Sequence, residues 1–229
     1  MNSANNRKAV ETMVLGAILT ALVIILQLMG AFIRFGPFSV SLVLIPIVIG
    51  AATCGTAIST WLGLVFGIAV LLSGDAAAFL AVNVPGTIIT VIAKGVACGF
   101  FASLAYKGML RFLDTRSSKH IQKMKKEYGL CEQCEPGVYK YISRNNRYLS
   151  VLIAAIVCPV ANTGVFLLGC FVFFMDTISA WATAAGLGGG LIHYIIFGLI
   201  GANFLFELAT NIILSPIVVR LLNIKNKQA

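Results

Sequence analysis

The sequence predicts an all-α integral membrane protein, a bundle of six transmembrane helices, on three observations. The first is composition: 59% of the 229 residues are hydrophobic and 11% are charged, with a mean hydropathy of +0.95. A soluble domain carries about 45–50% apolar and about 25% charged residues. A chain of this length cannot hide so much apolar surface from water, so lipid has to cover the remainder. The second observation is the spacing of the apolar runs, six of which approach the roughly 20 residues needed to cross the hydrocarbon core. The third is the placement of charge. All of the 17 Lys and Arg residues except Arg34 and Lys94 fall in the N-terminal tail, the 107–148 segment or the C-terminal end. That is the positive-inside distribution, so the net charge of +9 reports topology and not a nucleic-acid partner.

The first apolar run follows Asn5-Asn6-Arg7-Lys8. It is too long for a signal-peptide core and has no persuasive small-residue cleavage site after it, so it reads as a retained helix over 10–30. The second and third helices, 40–56 and 57–73, are joined by Cys54-Gly55-Thr56 and form a tight antiparallel hairpin. The fourth, 86–106, starts at the Pro85-Gly86 turn, the fifth covers 149–175, and the sixth, 189–222, is long enough to tilt. With Arg7-Lys8 inside, both termini and a basic loop at 107–148 are cytoplasmic, and residues 1–229 form one membrane domain. The outer connections at 30–39, 73–87 and 176–190 are short, apolar and rich in turn residues. They serve either as lids over a pocket or as interfacial anchors.

Polar side chains within the spans are the candidate functional residues, because an ionisable group there costs about 2.5–3.5 kcal/mol even on the lenient insertion scale. Lys94 lies eight residues into the fourth helix, about 12 Å below its outer end. Asn162 is halfway along the fifth. On the sixth, Asn203, Glu207 and Asn211 form one i, i+4, i+8 stripe, with His193 near the same face. Arg34 in the first outer connection can close over this place, Asn83 lies in the second, and Trp61 can supply an aromatic wall. Together these predict an outward-facing pocket for a small polar anion. The competing reading is a structural network in which Lys94 pairs with Glu207 or Asp75 and Asn162 bonds across helices.

Catalytic motifs are scarce: the chain has no Walker A sequence, no Gly-x-Ser-x-Gly elbow and no His-Glu-x-x-His. An ATP-driven process would need its motor on another chain, and no cofactor is expected. Cys131-Glu132-Gln133-Cys134, with His120 in the same loop, supplies at most half of a structural zinc site. Cys54, Cys98, Cys158 and Cys170 read as small hydrophobes within apolar runs. On the first helix, Ala9, Ala17 and Ala21 recur at multiples of four, a stripe that lets another helix approach closely.

The run from Phe35-Gly36-Pro37-Phe38 through Ile45-Pro46-Ile47-Val48-Ile49-Gly50-Ala51 resembles the first-loop and second-helix region of the substrate-binding S components of energy-coupling factor (ECF) transporters. So do Trp61-Leu62-Gly63-Leu64-Val65-Phe66-Gly67 and Asn162-Thr163-Gly164-Val165-Phe166-Leu167-Leu168-Gly169. Ala17-x-x-x-Ala21 is similar to the alanine motif with which that family docks on its coupling subunit. The 107–148 segment is longer than the family pattern. The resemblance implies a six-helix bundle in a prokaryotic plasma membrane that binds a vitamin or similar micronutrient from outside. It implies as partners one transmembrane coupling subunit and two ATPase subunits, which hydrolyse ATP while the S component itself is no enzyme. The Asn162-Thr163-Gly164 region looks most like pantothenate-type S components, with folate, lipoate, niacin and riboflavin also open. The alternatives are a stand-alone secondary transporter or channel for a small organic solute, a membrane enzyme using His193 and a cysteine, and a sensory protein read through its basic loop. The first would use Glu207 and His193 as a proton relay, and the halves show no inverted repeat to support it.

Overall fold

The computed structural model describes residues 2–32, 34–35, 38–39, 42–128, 135–186 and 190–228. The chain is a helical bundle, and among the described residues five stretches are long and apolar enough to cross a bilayer: Ala9–Gly30, Thr56–Ser73, Val84–Gln122, Tyr141–Phe173 and Asn203–Leu222. They belong to α1 (Asn2–Phe32), α3 (Thr56–Ser73), α5 (Val84–Tyr128), α6 (Glu135–Phe173) and α9 (Gly201–Gln228). A two-residue antiparallel ladder, β1 (Arg34–Phe35) with β2 (Phe38–Ser39), forms the first connection.

The second of the six expected helices is shorter than the sequence predicts. Helix α2 (Leu44–Thr53) has 10 residues, about 15 Å of length. Gly55, at φ +90°, breaks it from α3, a conformation that glycine adopts without steric penalty. Val43, Leu44, Ile47, Val48 and Ala51 are at most 1% exposed, so α2 is walled in by protein.

The basic segment at 107–148, expected as a loop, is helical through Tyr128 and again from Glu135. Its charges keep it out of the hydrocarbon but not out of a helix, since Lys, Arg, Gln, Met and Leu are strong helix formers and no Gly or Pro intervenes between 109 and 128. The two extensions are fastened by Asn146, whose Nδ2 donates to Asp114 Oδ1 at 2.8 Å and to Ser117 Oγ at 3.2 Å. Cys131 and Cys134 lie outside the described residues.

Helices α3 and α5 cross almost backbone to backbone. A Cβ at Gly63 would run into the carbonyl of Gly95, and a Cβ at Gly95 into the carbonyl of Gly63. Ser59 adds a bond across the seam, its Oγ donating to Gly99 O at 2.8 Å. This contact fixes the rotation of α5 about its axis, which matters because Lys94 directly precedes Gly95. By contrast α1 is peripheral, with Met13 70% exposed and Val10, Val14, Ile18 and Ile25 also outward.

Two further connections contain short helices. Helix α4 (Ala77–Leu80) lies between α3 and α5, and α7 (Met175–Ala184) follows α6. The sixth expected helix is composite: α8 (Leu191–His193), a π-helical stretch Tyr194–Ile200, then α9.

Candidate functional site

A cavity of about 330 Å³ lies between the cores of α3, α5, α6 and α9, beneath α4 and α7. That volume is within the range of small-molecule sites. Its walls are aromatic: Phe66, Phe79, Phe166, Phe174, Trp181 and Tyr194 all line it. Phe79 meets Phe166, Phe174 and Trp181 edge to face at centroid distances of 5.6, 5.1 and 5.4 Å. Trp181 comes from α7 and Phe79 from α4, so the two connections close the cavity as a lid does.

Charge enters through Lys94. Its Nζ lies 5.7 Å from the Phe66 ring centroid and 5.3 Å from that of Phe166, the geometry of cation–π contacts. Among the described residues, no carboxylate is within ion-pairing distance of it. Neither Glu207 nor Asp75 therefore forms the direct ion pair of the structural reading, although both line the same cavity. Asp75 is engaged by Gln27, whose Nε2 donates to Asp75 Oδ2 at 2.6 Å and to Ser73 Oγ at 3.2 Å.

Glu207, 2% exposed, organises the opposite wall. Asn162 Nδ2 donates to its Oε2 and Asn203 Nδ2 to its Oε1, each at 3.3 Å. The Asn211 amide donates to the Glu207 backbone carbonyl at 2.8 Å. Each asparagine thus presents its NH₂ to a carboxyl oxygen of Glu207 and turns its own carbonyl oxygen away. Among the described residues, the buried polar side-chain atoms with no partner are Asn162 Oδ1, Asn203 Oδ1 and Thr90 Oγ1, and all three residues line the cavity. A buried polar group left unmatched costs about 1–3 kcal/mol. Three unmatched groups around one cavity describe a surface ready for a ligand's hydrogen bonds.

The structure brings together Lys94, Asn162, Asn203 and Glu207 of the residues singled out in the sequence. Trp61 is 53% exposed and outside the cavity lining, because it lies five residues from Phe66 on α3 and hence about 140° around the helix. Asn83 caps α5: its Oδ1 accepts from Gly86 N at 3.0 Å, and its carbonyl accepts from Thr87 Oγ1 at 2.7 Å. His193 is exposed and also outside the lining, since the wider π turn after it shifts its phase relative to Asn203. Arg34 is placed in β1 by its backbone, and its side chain lies outside the described residues. Ala17 and Ala21 are exposed on the outer face of α1. Gln27, Asp75 and Thr90 complete the site. Of these, Gln27 carried a signal, as the only amide side chain in the first apolar run. Thr90 carried none.

A family model described as ECF transporter, substrate-specific component matches residues 11–221. The chain belongs to this family. As an S component it is a multi-pass membrane protein and the substrate-binding subunit of an ECF transporter, with a small-molecule substrate and an ECF module as partner. No curated protein and no solved structure matches the chain.

Proposed function

We propose that this S component captures a small, donor-rich organic anion from outside a prokaryotic cell and delivers it inward through an ATP-driven module. The observation that carries this reading is the lining of the cavity. Lys94 offers a cation with no described carboxylate at ion-pairing distance, while Asn162 Oδ1 and Asn203 Oδ1 offer acceptors with nothing donating to them. Such a site selects a carboxylate or phosphate at one end and hydroxyl or amide N–H groups along the body. The aromatic walls favour a partly apolar skeleton. Pantothenate, with one carboxylate, two hydroxyls and an amide N–H, is the first candidate. Folate, lipoate, niacin and riboflavin supply fewer donors to this wall or need more room.

Energy would come from a coupling membrane subunit and two ATPase subunits, met through the exposed Ala17/Ala21 face of α1, with both termini cytoplasmic. The experiment is uptake of labelled pantothenate by cells that express the chain with an ECF module. Ala17→Trp is expected to abolish uptake and co-purification of the coupling subunit while the isolated chain keeps its ligand affinity. Uptake that persists without the ATPases and collapses with the proton gradient would overturn the assignment in favour of a secondary transporter.

A further inference from the structure

A second depression lies on the surface of the bundle between α6 and α9, with a volume of about 350 Å³. Tyr141, Arg144, Asn145 and Tyr148 line it from α6, and Pro216, Val219 and Arg220 from α9. The α6 set has i, i+3, i+4, i+7 spacing and the α9 set i, i+3, i+4, so each forms one helix face, turned toward the other. We propose that this cleft binds the phosphate headgroup of an anionic phospholipid.

Four observations carry the assignment. The first is charge: two guanidiniums from different helices face one cleft, and among the described residues no carboxylate lines it and neither guanidinium is ion-paired. Arg144 rests on the Tyr141 ring at 6.0 Å. Its charge is thus held in place, with no carboxylate of the described residues at ion-pairing distance. The second is the disposal of the competing groups. Asp114 accepts from Asn146, which lies on a different face of α6, and Arg147 donates to Ser143 Oγ at 3.0 Å. The third is level in the membrane. Asn162 and Glu207 mark where α6 and α9 meet at the cavity, and Tyr148 and Arg220 lie about 20 Å further along both axes. The hydrocarbon half-thickness is about 15 Å, so a cavity buried mid-bundle leaves this cleft at headgroup depth, where tyrosines concentrate. The fourth is shape. Pro216 removes a backbone donor inside α9, and Ser215 Oγ satisfies the Ile212 carbonyl instead at 2.8 Å. The cleft thus keeps a local opening without an unmatched carbonyl. Val219, 7% exposed, forms an apolar floor on which an acyl chain can lie.

A phosphodiester suits this chemistry: each Arg fork can meet two of its oxygens, and Asn145 and the tyrosine hydroxyls can donate to the remainder. A zwitterionic lipid presents the same phosphate with a compensating cation, which the two arginines repel. The inference is independent of which solute occupies the cavity.

The test places the full chain in bilayer nanodiscs of equimolar phosphatidylcholine and phosphatidylglycerol and reads retained lipid by native mass spectrometry. One phosphatidylglycerol per chain is expected, enriched about tenfold over phosphatidylcholine. Arg144→Gln with Arg220→Gln should abolish the enrichment, the corresponding Lys pair should restore part of it, and Arg147→Gln should leave it intact. Thermal unfolding of each variant separates loss of the site from loss of the fold. Equal enrichment in wild type and the folded double Gln variant would overturn the proposal. So would displacement of the lipid by millimolar inorganic phosphate, which would assign the cleft to a free anion. Absence of enrichment in wild type, with the Gln pair losing the coupling subunit, would overturn it in favour of a protein interface.

Discussion

The cavity at Lys94 and the cleft between α6 and α9 have almost the same volume and opposite construction. The cavity under α4 and α7 is built from side chains fixed before any ligand arrives: Asn162 is 5%, Thr90 4% and Glu207 2% exposed. The cleft between α6 and α9 is built from exposed arginines and tyrosines on one edge of the bundle. Volume does not separate the two. What separates them is that the cavity holds polar atoms whose hydrogen bonds are unmatched, whereas the cleft holds charge that water or headgroups can reach. The first design selects a ligand by its donors and acceptors; the second selects by charge and membrane depth.

This contrast can be broken at the glycine seam. Gly95→Val places side-chain atoms where α3 and α5 touch through backbone, so the helices must separate and Lys94 must move. Overpacking of this kind costs about 1–3 kcal/mol or more. Ligand binding in the cavity should be lost and the thermal midpoint should fall, as read by calorimetry on the purified chain, while lipid retention in the distant cleft survives in whatever fraction remains folded. Lys94→Ala is next in size. It should weaken binding of an anionic ligand by about 1.5–3 kcal/mol, roughly 10- to 150-fold, with the fold intact; unchanged affinity in a titration would remove Lys94 from the site. Glu207→Gln is the smallest and the most informative. A glutamine amide both donates and accepts, so Asn162 and Asn203 are no longer obliged to face their oxygens inward. Affinity for a hydroxyl-bearing ligand should fall by about tenfold or less, and discrimination against an analogue lacking the hydroxyls should fall with it. Equal loss for both ligands would reduce Glu207 to a packing role.

The sequence located this site as far as the cost of polarity in lipid reaches. Lys94, Asn162, Asn203 and Glu207 stand out because a bilayer makes such residues expensive, and all four line the cavity. Trp61 and His193 were drawn in by residue type and by a constant helical period. Trp61 lies off the cavity lining because the inner face of α3 is set by Gly63, Phe66 and Gly67, and His193 lies off it because seven residues of π-helix intervene. Asn83 looked like a ligand group and turned out to cap α5, a role that an Asn just before Val84-Pro85-Gly86 fits equally well. Thr90 escaped notice because a threonine in a membrane helix usually bonds its own backbone, and only the third dimension shows that this one does not. The five long spans were legible from hydropathy. The shortness of α2 and the helical course of the basic segment were not, since hydropathy measures what lipid tolerates and not what folds locally.

The central claim is that the cavity is a preformed site for a donor-rich anion. It is tested most directly by mass spectrometry of small molecules released from the chain purified out of rich medium. The predicted result is one organic anion per chain, bearing a carboxylate or phosphate together with hydroxyl or amide donors, and absent from the Lys94→Ala protein. A stoichiometric cation, or an apolar molecule retained equally by the Lys94→Ala protein, would contradict the account.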